Sequence, residues 1–149
     1  MQSLFDKTTH DEIINRLNKL SPASAAQWGK MGVAQMLAHC KEAFKVPLSD
    51  KKMKGPLIMG LLGRLIKAKL YNDSPWKQNL PTAPNFIIKD ERHFNTEKEE
   101  LLSLINKFYS AGPGNVGKFP HPFFGRFTPE QWGMSMYKHL DHHFRQFAV

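Results

Sequence analysis

Residues 128–147 carry the clearest helix start in the chain, with the sequence TPEQWGMSMYKHLDHHFRQF. Thr128 can cap the first turn, and Pro129 stands at the first helical position, where its missing N–H costs nothing. Gln131 occupies the third position and completes a capping box with Thr128. Apolar residues then recur at helical spacing. The stretch therefore predicts a long amphipathic helix from Pro129 almost to the C-terminus.

Three earlier segments show the same apolar periodicity, and they predict helices over 9–20, 33–45 and about 96–111. Thr9 with Glu12, and Thr96 with Glu99, have the Thr-x-x-Glu spacing of a capping box, which places two of the helix starts. Each helix is followed by a proline or glycine that can stop it. We therefore predict one all-α domain over residues 1–149, a four-helix bundle.

A long connection separates the second and third predicted helices. It runs from Pro47 to Asn95 and is punctuated by prolines, which is typical of a crossover and not of a bundle helix. Within it, the segment from Leu57 to Leu70 is apolar with basic residues interleaved. We expect an extra short helix there, serving as a lid or a dimer contact. An interfacial helix is the weaker alternative, because one short helix without a lipidation signal anchors poorly to a membrane.

Composition limits the functional classes. The chain has 149 residues, 41% of them hydrophobic, which suffices for one helical core. Its single cysteine excludes an internal disulfide framework, and the N-terminus lacks a signal-peptide pattern, so we expect a cytoplasmic protein without a membrane span. The net charge of +8 would attract polyanions, but the basic residues are scattered along the chain. No nucleic-acid motif accompanies them, so we expect no nucleic-acid partner.

Turning the last helix at about 100° per residue separates its polar side chains by face. Five residues share one inward stripe: Trp132, Met136, His139, His143 and Gln146. Three others fall on the opposite, solvent side: Lys138, Asp141 and Arg145. His142 lies nearer to this second group, so of the three histidines in this helix it is the one that we do not expect in the protein interior.

His139 and His143 are four residues apart on an inward face, which brings two imidazoles close enough to share one metal ion. The alternative is a pair of core histidines satisfied by hydrogen bonds. Two adjacent buried imidazoles must then both stay neutral and both find partners. A shared metal removes that cost, and we therefore favour a metal site.

The second helix offers two candidates for a third ligand, His39 and the adjacent Cys40. Cys40 lies in the middle of the apolar stripe and His39 at its margin, so the helical pattern alone does not decide between them. A buried cysteine is most often a small apolar residue. His121, in the HPFFG segment, either approaches the mouth of the bundle or shapes a turn, and the turn is favoured.

Four segments together resemble a branch of the DinB/YfiT-like superfamily that is itself a domain of unknown function. They are WGKMGVAQMLAHC, LLGRLIKAKL, PTAPNF and the tail HPFFGRFTPEQWGMSMYKHLDHHFRQF. The resemblance implies a four-helix bundle and a metal ion held by His39, His139 and His143, as well as a homodimer. It also makes Gln146 a candidate neighbour of the ligands or part of the site wall. The remaining candidates for the wall are Trp132, Met136, His121 and Cys40.

The expected function is that of a metal-dependent enzyme, because three neutral imidazoles leave the ion charged and one position open. Zinc or nickel suits such ligands, and iron is also compatible. Superfamily relatives include transferases that use a low-molecular-weight thiol, which implies S-transfer. Hydrolysis by metal-bound water is an alternative. A second alternative is a non-catalytic protein that binds metal or forms a dimeric assembly. Its metal site would be closed by Cys40 or His121 as the fourth ligand. Asp141 is expected to face outward and not to act as a base.

Overall fold

The computed structural model describes residues 2–54, 63, 66–82 and 84–149. Four α-helices dominate it: α1 (Lys7–Lys19), α2 (Val33–Lys45), α3 (Phe94–Ala111) and α4 (Pro129–Gln146). Three 3₁₀ turns lie between them: Lys67–Leu70, Pro84–Phe86 and Pro113–Asn115. The described ranges contain no strand, and the predicted all-α fold with four long helices is confirmed for them. None of their helices is long and apolar enough to cross a bilayer.

The four helices pack around a shared apolar core. α2 lies against α3 and α4, and α1 also contacts both α3 and α4. Each helix contributes side chains with no exposed surface, among them Leu17, Leu37, Ile105 and Leu140. Burying such a side chain stabilises the fold by about 1.5–3 kcal/mol. This packing brings the inner faces of α2 and α4 together, and these faces carry the histidines.

The start of α4 follows from local sequence chemistry. The Thr128 side-chain oxygen accepts a hydrogen bond from the Gln131 backbone N–H at 3.2 Å. The Gln131 side chain in return accepts from the Thr128 N–H at 3.1 Å. Pro129 occupies the first helical position. The predicted capping box is therefore confirmed.

The predicted start of α1 at Thr9 is wrong. The helix begins at Lys7, and Thr9 is buried within it and caps nothing. The preceding residues explain the difference. Leu4 is fully buried and its N–H donates to the Gly133 carbonyl at 3.1 Å, so the chain is already fixed against α4 before the helix begins.

The predicted start of α3 at Thr96 is wrong by two residues. The helix begins at Phe94, whose ring packs against the core. Glu97 is buried and forms ion pairs with Lys41 of α2 and with Arg92. These tertiary contacts hold the first turn in helical form, and they override the local Thr-x-x-Glu signal.

The described crossover residues from Lys67 to Asn72 lie against α4. The helix predicted over 57–70 falls mostly outside the described residues, and its last part, Lys67–Leu70, forms a 3₁₀ turn. Lys138, predicted to face solvent, is buried instead. Its ammonium donates to the Lys69 carbonyl at 2.7 Å, to the Asn72 carbonyl at 2.8 Å and to the Asn72 side-chain oxygen. The crossover thus supplies the hydrogen-bond acceptors that allow Lys138 to be buried, and the periodicity of α4 alone could not predict them.

Candidate metal centre

Three histidines converge where α2 faces α4. His39 comes from α2, and His139 and His143 lie one turn apart on α4. One ring nitrogen from each lies within 4.8 Å of the other two. The Nε2 atoms of His39 and His139 are 3.0 Å apart. Two nitrogens bound tetrahedrally to one zinc ion at about 2.0–2.1 Å lie about 3.3 Å apart. The spacing of these rings therefore fits ligands of a common ion.

Neighbouring acceptors fix the orientation of two of the rings. The Nδ1–H of His39 donates to the Phe86 carbonyl at 2.9 Å, and the Nδ1–H of His143 donates to Gln146 Oε1 at 2.9 Å. Gln146 is itself oriented, because its Nε2 donates to the Trp28 carbonyl at 2.8 Å. With the proton held on Nδ1, each ring presents its Nε2 lone pair. Oriented acceptors behind the ligating imidazoles are typical of metal centres.

His139 completes the cluster but is not satisfied by the protein alone. Because His39 holds its proton on Nδ1, its contact with His139 needs a proton on His139 Nε2. The Nδ1 of His139 is then a buried acceptor, and the structure gives it no partner. Buried nitrogens without a partner are rare and cost about 1–3 kcal/mol each. A cation that takes a lone pair from each ring removes the need for a proton between His39 and His139.

Burial keeps all three imidazoles neutral at physiological pH. Loss of hydration lowers the pKa of His143 to about 3, with the neighbouring His39 contributing. The pKa of His39 is also lowered by burial, and that of His139 falls well below its usual value. Neutral imidazole is the form that binds metal ions. The site is therefore ready to bind a cation without releasing protons near neutral pH.

Cys40 lies outside this cluster. It is fully buried, and its Sγ contacts the Met36 sulfur at 3.7 Å. Burial also raises the pKa of its thiol, which disfavours the thiolate that metals bind. The structure therefore brings His39, and not Cys40, together with the α4 histidines.

His121 also lies elsewhere, in the loop before α4. Its Nδ1 accepts from the backbone N–H groups of Phe123 and Phe124 at 3.1 and 3.3 Å. Its ring packs against Trp132, which in turn stacks on Phe127 with ring centroids 4.7 Å apart. Burial lowers the pKa of His121 to about 4. Both His121 and Trp132 thus belong to the aromatic packing under this loop, and Met136 is a core residue of α4.

The connecting segments supply groups around the cluster that the sequence did not predict. Phe86 and Trp28 supply the carbonyls that orient His39 and Gln146. The Trp76 ring lies 5.8 Å from the His139 ring. Phe86 and Trp28 lie in the PTAPNF and WGKMGVAQMLAHC segments, which carried the family resemblance, but connecting segments have no periodicity from which a contact can be derived.

A family model for a protein of unknown function, DUF1569, matches residues 2–149. The chain belongs to the DUF1569 family. Searches among curated proteins and among solved structures gave no significant match. Membership of DUF1569 assigns no reaction, and the histidine cluster is the feature of the structure that bears on function.

Proposed function

We propose that this DUF1569 protein is a metal-dependent enzyme that binds one divalent cation through His39, His139 and His143. One observation carries the proposal: three neutral imidazoles from two helices present nitrogens within 4.8 Å of one another. The hydrogen bonds to Phe86 and Gln146 that orient two of the rings support it. The 3.0 Å contact between the Nε2 atoms of His39 and His139, which without a cation needs a proton between two neutral rings, supports it as well.

The number of ligands favours a catalytic site over a structural one. Structural zinc sites are closed by four protein ligands, whereas catalytic sites keep three and leave one position open. Cys40 and His121, the candidates for a fourth ligand, both lie elsewhere and have partners of their own. Within the described part of the chain, the cluster contains three potential ligands.

Zinc or nickel is the metal that we propose, with iron as a further possibility, because imidazole suits all three. A divalent cation held there supplies Lewis acidity, which lowers the pKa of a coordinated thiol or water. The protein contributes three neutral ligands and a wall that limits water, including the Trp76 ring. Asp141 is not free to act as a base, because Arg16 binds its carboxylate at 2.9 Å.

We propose S-transfer, in which a low-molecular-weight thiol loses its proton and its sulfur bonds to an electrophilic carbon, while the leaving group of the electrophile departs with its electron pair. Hydrolysis is the alternative. The resemblance of the chain to DinB/YfiT-like proteins supports a thiol, and the open position supports either nucleophile.

The same resemblance supports a DinB-like bundle that forms a homodimer. Ile66, which lies within the apolar segment of the crossover, is 48% exposed and is a candidate contact. Sedimentation of the purified protein tests the dimer.

Metal content of the purified protein tests the site. We expect about one divalent ion per chain in the wild type and its loss in His39→Ala, His139→Ala and His143→Ala. His142→Ala is the matched control for metal content, since it removes an adjacent imidazole that is not part of the cluster. Full occupancy in His143→Ala would refute the assignment.

Turnover tests the reaction. The metal-loaded protein is mixed with a generic electrophile and a panel of cellular thiols, and product is compared with that of the metal-stripped protein. A metal-dependent rate with one thiol supports S-transfer. A metal-dependent rate with ester substrates but with no thiol supports hydrolysis instead. If metal changes neither rate, the enzyme proposal fails.

A further inference from the structure

A cleft of about 390 Å³ lies on the outer face of α4, beside the histidine cluster. Its walls include Trp28 and Trp76 from the loops, and Asp141, His142 and Arg145 from α4. A volume of this size lies within the range of small-molecule sites. None of the three clustered histidines lines it, so it is a distinct feature of the surface.

The aromatic walls of the cleft connect it to the metal centre. The His142 ring lies near both indoles, with centroid distances of 5.8 Å to Trp28 and 5.5 Å to Trp76. Trp76 also contacts the His139 ring at 5.8 Å, and the rings of His142 and His143 are 5.1 Å apart. A molecule held between these aromatic side chains would lie next to the ion-binding imidazoles.

The position of Trp76 is fixed before any ligand arrives. Its indole N–H donates to the Lys69 carbonyl at 2.8 Å, and the same carbonyl accepts from the buried Lys138 ammonium at 2.7 Å. On the other side, the Trp28 carbonyl is held by Gln146. Walls that are already ordered lose little conformational entropy on binding. The Trp76 wall and the Trp28 backbone are thus ordered before a ligand binds.

Hydrogen-bonding capacity along the cleft favours an acidic ligand. The carboxylate of Asp141 is already bound by Arg16 at 2.9 Å. Arg145 is 54% exposed, and its ion pair with Asp141 is long, at 3.8 Å. In the described structure the His142 ring nitrogens have no hydrogen-bond partner from the protein. Lys138 and the Val149 oxygen also line the cleft, but the Lys138 ammonium is bound by crossover carbonyls and the Val149 oxygen accepts from Arg16 at 3.0 Å. The donors left for a ligand are the Arg145 guanidinium, the His142 imidazole and the Gln78 amide, and a guanidinium beside neutral donors matches a carboxylate or similar anion.

We propose that this cleft binds a planar aromatic or heteroaromatic acid, with its ring against Trp28 and Trp76 and its anionic group toward Arg145 and His142. The role of this acid as a substrate rests on the proposed metal-dependent function, whereas its binding does not.

Benzoate is the probe, and its binding is measured by ligand-observed NMR with both metal-free and zinc-loaded protein. Cyclohexanecarboxylate keeps the charge without the ring, benzamide keeps the ring without the charge, and benzylamine reverses the charge. We expect benzoate to bind more tightly than each of them, by about three- to tenfold over cyclohexanecarboxylate, as one aromatic contact implies. Equal binding of benzoate and cyclohexanecarboxylate, or a preference for benzylamine, would overturn the proposal.

Substitutions in the cleft test whether benzoate binds there. Trp76→Leu and Arg145→Gln should each weaken benzoate about three- to tenfold, whereas Trp76→Phe should restore most of the loss in Trp76→Leu, because it keeps an aromatic face. Arg126→Gln is the matched control, since Arg126 is exposed and does not line the cleft. Wild-type benzoate affinity in folded Trp76→Leu would overturn the proposal.

The two proposals fail separately. If benzoate binds as expected but the protein holds no metal through the three histidines, the cleft stands and the enzyme proposal falls. If metal binds through the histidines but benzoate does not bind, the cleft proposal falls alone.

Discussion

Gln146→Leu tests whether the hydrogen bond behind His143 prepares the site for metal. Gln146 is 3% exposed and accepts from the His143 Nδ1–H at 2.9 Å. Leucine has a similar size but cannot accept, so the ring loses its fixed orientation. Loss of such a partner typically costs about 10–100-fold in metal affinity, or roughly 1.4–2.8 kcal/mol. The buried Nδ1–H of His143 also loses its partner, at about 1–3 kcal/mol of stability, and the part-buried Trp28 carbonyl loses the Gln146 donor.

Competition with a chromophoric zinc chelator measures the affinity, and urea unfolding measures the stability. Gln146→Glu is the matched control, because a carboxylate still accepts from His143 but cannot donate to the Trp28 carbonyl. We expect Gln146→Glu to lose stability while its zinc affinity stays near that of the wild type. A folded Gln146→Leu protein with wild-type zinc affinity would refute the reasoning.

Three further predictions concern the fold. The pKa of His121 is lowered by burial from 6.5 to about 4. The unfolded chain therefore binds more protons between these pH values, and His121 should lower the unfolding free energy by up to about 3 kcal/mol as pH falls from 7 to 4. His121→Asn, which keeps an acceptor for the turn, should remove this part of the pH dependence in urea melts while His39, His139 and His143 keep theirs, and an unchanged slope would count against it. Thr128→Ala should cost about 1 kcal/mol through loss of the cap on the Gln131 N–H, as thermal unfolding would show, whereas no loss would mean that the cap is dispensable. Leu140→Ala should cost about 2–5 kcal/mol, because Leu140 is fully buried, and a cost under 1 kcal/mol in chemical denaturation would contradict the packing.

Local signals explain what the sequence predicted well. The start of α4 depends on Thr128, Pro129 and Gln131, which are adjacent in the chain, so their chemistry can be worked out without the rest of the fold. The inward direction of His139 and His143 follows from helical periodicity in the same way. The choice of His39 over Cys40 did not follow from periodicity and came from the resemblance to DinB/YfiT-like proteins.

Tertiary contacts explain what the sequence could not predict. Lys138 is buried because crossover carbonyls from residues far away in the chain surround its ammonium. Thr9 lies within α1 because the segment before the helix is fixed against α4 through Leu4. The Phe86 carbonyl behind His39 belongs to a loop. Helical patterns carry no information on where such segments return to the helices.

Anomalous diffraction from crystals grown with zinc or nickel tests the central claim most directly. We expect one anomalous peak per chain, about 2.0–2.1 Å from one nitrogen of each of His39, His139 and His143. Phe86 and Gln146 should still hold the Nδ1–H groups of His39 and His143. Density without such a peak, with the His39 and His139 nitrogens still 3.0 Å apart in a direct hydrogen bond, would contradict the claim that these imidazoles form a metal centre.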